Sequence, residues 1–267
     1  MKLKGLLSLI TFSEKRLQTL MLLKDGPKPF SEIKNYFSAT SPEILPRIRE
    51  LERHHLIVKN SGEYRLTPIG EVVVEHLSPL VNVVSVFDKN LNFWGCHDLE
   101  DIPMEFLLRI HELGNYKIIE STSLDLFTPH RELMKNLLKS RVIRGVLPIY
   151  HPEHPKVLLD LAKNGTKISI IITNEVFNKM KIENKKELER SINYSNYKIM
   201  IYKNKLNLAF VVTNFFLSLG LFLKNGKFDV YHDIVSFDKS AIRWGIELFE
   251  HFREKSNLIG KNIKKKG

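Results

Sequence analysis

The sequence predicts a chain of mixed α+β and α/β class: a small helical module closed by a β-hairpin, a linker helix, and a larger domain in which strands and helices alternate. Three observations carry this. Apolar residues recur at helical spacing through the first fifty residues. The stretch GEYRLTPIG (62–70) supplies a glycine turn, an alternating strand and a Thr-Pro helix start. Beyond Tyr116, short β-branched runs alternate with proline-opened amphipathic segments as far as Tyr202.

In order along the chain, Leu17, Leu20, Met21 and Leu23 form the buried stripe of a first helix, which Asp25-Gly26-Pro27 ends. Ser31 is positioned to cap a second helix with Ile33 and Phe37 inward, and Ser38-Ala39-Thr40 is a turn. Ser41 and Pro42 then start a third helix by a cap-plus-proline pattern, with Pro46 expected at the end of its first turn. Its inward stripe is Ile44, Leu45, Ile48, Leu51 and Leu56, leaving Glu43, Arg47, Glu50, Arg53 and His54 on the opposite, solvated side. Leu56-Ile57-Val58 and Tyr64-Arg65-Leu66 are the two strands of a hairpin. Three helices and such a hairpin make a winged helix-turn-helix over residues 1–75, whose third helix fits the major groove of double-stranded DNA while the wing lies along phosphates. On this reading Arg47, Arg49 and Arg53 face the groove. Lys59, Asn60 and Arg65 contact phosphate from the wing, and Lys28, Ser38, Thr40 and Ser41 do so from the turn and helix start.

Residues 76–90 read as the end of a linker helix opened by Pro68, in which Pro79 should produce a kink or a break. Its valines and leucines exceed what one core face needs, which predicts a homodimer contact. Residues 91–260 follow as an α/β domain with a substantially parallel sheet. A helix runs from Pro103 to Gly114, and a strand at 116–120 precedes a helix from Pro129 to Ser140. Strand 142–148, helix 152–164, strand 167–172, a helix around 184–195 and strand 198–202 continue the alternation. Strands joined by tight turns fill 207–231, with Asn225-Gly226 a hairpin signal, and a helix from Asp238 to Lys255 closes the domain. Residues 261–267 are a basic tail.

Composition narrows the function. With 267 residues and 43% hydrophobic content there is material for two cores. The sole cysteine, Cys96, forms no internal disulfide and anchors no cysteine-rich zinc site. Apolar runs such as LGLFL fall short of the ~18 residues of a membrane span, so a cytoplasmic chain without a membrane partner is expected. Of the net charge of +11, residues 1–65 contribute twelve Lys/Arg against seven Asp/Glu, and residues 253–267 six against one. Both ends are basic and the body is nearly neutral, the distribution of a module for a polyanion beside a domain of another purpose.

Catalytic signatures are weak. His154, Lys156 and Asp160 give HxKxxxD, one residue short of the phospholipase D pattern, present once and on an expected helix, where His154 and Lys156 diverge by about 200°. His151 and His154 lack a fixed carboxylate or cysteine partner, so no metal is expected. No phosphate-loop, dinucleotide or nucleophile-elbow motif is present, and the reading is a non-enzyme without a cofactor. Open α/β sheets bind small molecules beyond the carboxyl ends of their strands. The expected effector residues are therefore Glu120, Thr122, Tyr150, His151, Thr173, Asn174 and Tyr202, with Arg144 for an anion if it faces the pocket.

The segments YRLTPIG (64–70), FWGCHDLEDIP (93–103), GVLPIYHPEH (145–154) and FDKSAIRWGIELFEHFRE (237–254) resemble those of the archaeal winged-helix regulators of the methanogenesis regulatory protein family, over about Phe12 to Lys255. The strand order and the closing SLGLFLKNGKFD are similar to the phospholipase-D-like effector domains of archaeal TrmB-type regulators. The resemblance implies a transcription factor with a carboxyl-terminal sensor domain. The alternatives are a phospholipase-D-like phosphodiesterase or nuclease, and a winged helix that binds protein in a transcription complex.

Overall fold

The computed structural model describes residues 5–120 and 131–259. It divides into two compact units between Ser85 and Val86, inside the segment read as a linker.

The first unit runs α1 (Leu6–Thr11), α2 (Glu14–Lys24), β1 (Lys28–Pro29), α3 (Phe30–Tyr36), α4 (Ser41–Arg53), β2 (Ile57–Asn60), β3 (Glu63–Leu66) and α5 (Pro68–Asp88). Ile33, Ile44, Ile48, Leu51, Leu56 and Leu20 are fully buried in one cluster. Each such aliphatic side chain contributes about 1.5–3 kcal/mol by leaving water, which holds short helices of poor intrinsic stability in place. The caps differ from expectation by two residues at α3 and one at α4. Pro29, not Ser31, precedes α3, and Thr40, not Ser41, caps α4 through a capping box with Glu43. Pro46 is the sixth residue of α4, past the first turn, and the helix continues through it. The cost is small because Pro42, whose carbonyl loses its partner, is exposed to water.

The wing is a tight hairpin in which Asn60 pairs with Glu63 across Ser61-Gly62. Both turn residues have positive φ, 50° and 90°, as a type I′ turn requires. A third strand that the sequence did not reveal, β1, pairs with β3 and gives the order β1-β3-β2. Thr67 joins the wing to α5: its hydroxyl donates to the His55 carbonyl (2.6 Å) and accepts from the Gly70 amide (3.1 Å). Gly70 is required there, since a Cβ would lie 2.0 Å from the Leu56 carbonyl oxygen.

Helix α5 runs undivided through Pro79. By length and composition it is apolar enough to cross a membrane, with a mean hydropathy of 1.3 over 18 residues and 17% of that window buried. No unbroken apolar run marks it in the sequence, because Glu71, Glu75 and His76 interrupt the segment without cancelling its hydropathy.

The second unit contains α6 (Leu91–Cys96), β4 (His97–Asp98), α7 (Met104–Leu107), a 3-10 turn (Ile110–Leu113), β5 (Lys117–Glu120), α8 (Arg131–Leu138), β6 (Val142–Leu147), α9 (His154–Lys163), β7 (Lys167–Thr173), α10 (Asn174–Glu183), α11 (Lys185–Ser191), β8 (Tyr197–Tyr202), β9 (Leu208–Thr213), β10 (Leu217–Leu223), β11 (Phe228–Ser236), α12 (Lys239–Glu254) and β12 (Ser256–Leu258). The sheet order is β12-β8-β7-β6-β9-β10-β11-β5, with β4 on β10. Only β6, β7 and β8 are parallel, so the expectation of a substantially parallel sheet is corrected. After β8 the chain returns by hairpins, and β5 lies at the far edge antiparallel to β11. The expected single helix 103–114 is a short helix and a 3-10 turn, and α10 occupies a segment to which no helix was assigned.

Strand β7, KISIIIT, shows why the middle of the sheet is so apolar. Ile168, Ile170 and Ile172 face the cluster of Leu158, Leu161, Val176, Met180 and Leu188 from α9, α10 and α11, while Ile171 is buried on the opposite face. Helix α12 packs on β6, β9 and β10, with Trp244, Leu248, Phe249 and Phe252 buried. Gly245 lets it approach, since a Cβ would lie 2.7 Å from Leu217 Cδ1.

Asp229 is buried and accepts from His97 Nε2 (3.0 Å), His232 Nδ1 (2.8 Å) and the Tyr231 amide (2.9 Å), fastening β4 to β11. Burial alone would raise its pKa, but the Tyr231 amide and then the two imidazoles outweigh burial and hold the carboxyl below the ordinary 3.8. A depressed carboxyl stabilises above its unfolded pKa and loses that contribution as pH falls through the folded value. We therefore expect Asp229→Asn to lower the melting temperature at pH 7, and the gap to the parent chain to close below about pH 4. Melting curves between pH 3 and 7 check this, and a gap independent of pH refutes it.

Candidate nucleic-acid interface and effector groove

Helix α4 buries Ile44, Ile48 and Leu51 and exposes Arg47, Arg49 and Arg53. At about 100° per residue, Arg49 and Arg53 lie about 40° apart and opposite the buried stripe, while Arg47 lies on its flank. Pro42 and Pro46 occupy the same outer stripe and are exposed. Among the described residues none of the three arginines has an ion-pair partner, whereas Arg16 of α2 is paired with Glu50. Lys59, Asn60 and Arg65 are exposed on the wing. Lys59 Nζ lies 5.5 Å from the Tyr64 ring centroid, and Arg65 shares the outer face with Val58.

The other expected contacts are partly committed elsewhere. Lys28 is on β1 and pairs with Glu32 (2.6 Å), which raises its pKa. Thr40 is exposed, but its amide and hydroxyl bind Glu43 (2.8 and 2.9 Å) and, with Lys15, hold that carboxyl below its usual range. Ser38, at φ 47°, and Ser41 are exposed at the turn before α4.

Of the expected effector residues that are described, Tyr150 and His151 come together and the others lie apart. Glu120 is the exposed end of β5, and Thr122 lies outside the described residues. Tyr150 and His151 follow β6 and line a small space of about 20 Å³ with His154, Val176, Met180 and Tyr197. That is room for about one water. The Tyr150 hydroxyl donates to Asn184 Oδ1 (2.5 Å), and burial, then Glu183, pushes its pKa up to about 12. The rings of His151 and His154 stack at 4.6 Å, and burial, aided by His151, brings His154 down to about 4. Thr173 caps α10 by accepting the Val176 amide (3.3 Å), Asn174 is its exposed first residue, and Tyr202 packs edge-on against Phe252. His154 and Lys156 both lie on α9, the first half-buried and the second exposed, so they do not meet at one reacting group.

Arg144 lies elsewhere. It lines an open groove of about 380 Å³ at the amino ends of β6, β7 and β8, with Lys167, Ser169, Ser195, Asn196 and Lys198. Sequence reasoning missed those five. The alternation in KISIIIT and YKIMIY put Lys167, Ser169 and Lys198 out of the apolar rows, but their juxtaposition depends on inter-strand register.

Two family models described as methanogenesis regulatory protein FilR1 match this chain, the N-terminal domain over residues 4–85 and the middle domain over 126–255. The chain belongs to the methanogenesis regulatory protein family. A curated relative, the methanogenesis regulatory protein FilR1 of Methanothrix harundinacea (strain 6Ac), is 27% identical over 251 residues, covering 92% of this chain and 56% of the relative. The chain thus spans little more than half the length of that family member. Among solved structures, the archaeal chromatin protein TrmBL2 is similar with a TM-score of 0.43 and 11% identity, over 92% of this chain and 94% of that one. NucT from Helicobacter pylori is similar with a TM-score of 0.43 and 15% identity, over 54% of this chain and 99% of that one. The first family match ends at residue 85, where the structure also divides.

Proposed function

We propose that this chain is a DNA-binding transcriptional regulator that acts as a homodimer and whose second unit binds a small effector. The observation that carries it is the outward stripe of α4: Arg49 and Arg53, exposed and without acidic partners, beside a wing bearing Lys59 and Arg65. Membership of a regulatory family supports the same reading. A helix of this kind reads base edges in the major groove while the wing binds phosphate.

Dimerisation draws on α5. Ile69, Val72, Leu80 and Val84 are exposed along it, and two winged helices related by a two-fold axis match paired half-sites. Glu71, Glu75 and His76 on the same helix suit a protein neighbour better than lipid. The helix begins in the first unit and ends in the second, so effector occupancy and DNA affinity would be linked reciprocally through it. The absence of convergence between His154 and Lys156 favours this reading over phosphodiester cleavage.

Fluorescence anisotropy on duplex DNA across a salt series tests the proposal. Log affinity should fall linearly with log salt, with a slope of about −0.9 per phosphate neutralised. An affinity indifferent to salt removes the phosphate contacts and the proposal with them.

A further inference from the structure

Register places six side chains in two rows across the parallel strands. Arg144 of β6 is opposite Ser169 of β7, and Ser169 is opposite Lys198 of β8. One step nearer the strand ends, Val142 is opposite Lys167, with Asn196 following on the β8 side. Arg144 also pairs with Val212, the residue that α12 meets at Gly245, so this is the face that α12 packs on. The helix sits on β6, β9 and β10, and the amino ends of β7 and β8 stay open.

Three cations and two serines, Ser169 and Ser195, therefore surround one groove that no acidic side chain lines among the described residues. Among the described residues the side chains of Arg144, Lys167, Ser169 and Lys198 have no hydrogen-bond or ion-pair partner in the chain. Arg109, Arg243 and Arg253 of the same unit are all paired with glutamates. Like charges on neighbouring strands repel, and strands lie only about 4.8 Å apart. A cluster of this kind is stabilised by an anion seated over Ser169, where Arg offers its planar fork and the lysines two point charges.

We propose that this groove binds a phosphorylated small molecule. Three positive charges around the Ser169 hydroxyl, with Ser195 also lining the groove, match a phosphate or diphosphate better than a single carboxylate, and about 380 Å³ is a small-molecule volume. The inference rests on reading the second unit as an effector domain and names the chemistry of its ligand.

The test uses the full chain, pyrophosphate and inorganic phosphate as probes, and a chloride control at matched ionic strength. Titration calorimetry should show saturable binding, weakened about ten-fold or more by Lys198→Gln, whose side chain is exposed, and by Arg144→Gln. Lys185→Gln, exposed on α11, should leave it unchanged. No saturable binding, or binding that both groove variants retain, overturns the proposal; the second result places the anion elsewhere, the winged helix included. A parallel anisotropy titration separates the underlying reading. If pyrophosphate binds in the groove but DNA affinity is the same with and without it, the anion site stands and the effector role falls. A change in DNA affinity seen in the parent chain and lost in Lys198→Gln supports both, since simple competition at the winged helix would persist in that variant.

Discussion

Replacing Arg49 and Arg53 together by alanine should lower duplex DNA affinity about 100-fold near 0.1 M salt and make the salt slope shallower by up to about two phosphate equivalents. Both residues are exposed and unpaired on the outward stripe of α4, so their removal leaves Ile44, Ile48 and Leu51 packed and stability within about 0.5 kcal/mol. An arginine reading a base edge contributes about 1–3 kcal/mol, and two of them reach two orders of magnitude. Arg47→Ala should cost less, because it projects from the flank of the helix. Lys28→Ala should cost least, since Glu32 already compensates that charge. Anisotropy on the same duplex ranks the three variants. Unchanged affinity in the double variant would mean that α4 is not the recognition helix.

How far the sequence could be read follows from which interactions are local. The stripe of α4, the Thr67-Pro68 junction and the Ser61-Gly62 turn are set by residues within four or five positions of one another, and each was legible. Strand β1 was not, because two residues, Lys28 and Pro29, become a strand only by pairing with Tyr64 and Glu63 some thirty-five positions on. The sheet of the second unit failed in the same way. An alternation of strands and helices announces parallel pairing, yet β5 joins β11 across more than a hundred residues, and nothing in KIIE foretells that partner. Asp238 opens α12 as expected, but its carboxylate also accepts the Asn115 amide (2.6 Å) beside Gly114, a contact from more than a hundred positions away that the pattern does not show. Arg144 was singled out correctly as a strand cation, but the company it keeps, Ser169 and Lys198, comes from register, which pattern does not specify where both faces of a strand are apolar.

The largest stability effect should come from Trp94→Ala, with a loss of about 3–5 kcal/mol from the second unit. Trp94 is 4% exposed and meets Phe87, Phe93 and Tyr116 edge-on at 5.5, 5.4 and 5.9 Å. Its Nε1 donates to the Val86 carbonyl (3.2 Å) and to the Tyr116 hydroxyl (3.1 Å), while that hydroxyl donates to the same carbonyl (2.8 Å) and accepts from Asn90 (3.2 Å). Lys89 adds a hydrogen bond to the Tyr116 carbonyl (2.9 Å) and covers its ring. The cluster closes over the end of α5, whose last carbonyls need partners from outside the helix. Alanine leaves a cavity and strips one donor from a buried network, whereas Trp94→Phe keeps most of the apolar area and leaves the Val86 carbonyl with the Tyr116 hydroxyl. The phenylalanine variant should therefore lose only about 1 kcal/mol. For a unit of this size the alanine loss corresponds to a melting shift of about 10 °C. Calorimetry that resolves two transitions should show the shift in the second unit alone. Because Val86 lies in the last turn of α5, a helix that starts at Pro68 in the first unit, a comparable shift in the transition of the first unit would show instead that α5 makes the two units melt as one, and the reciprocal coupling proposed through that helix would then have a measured basis.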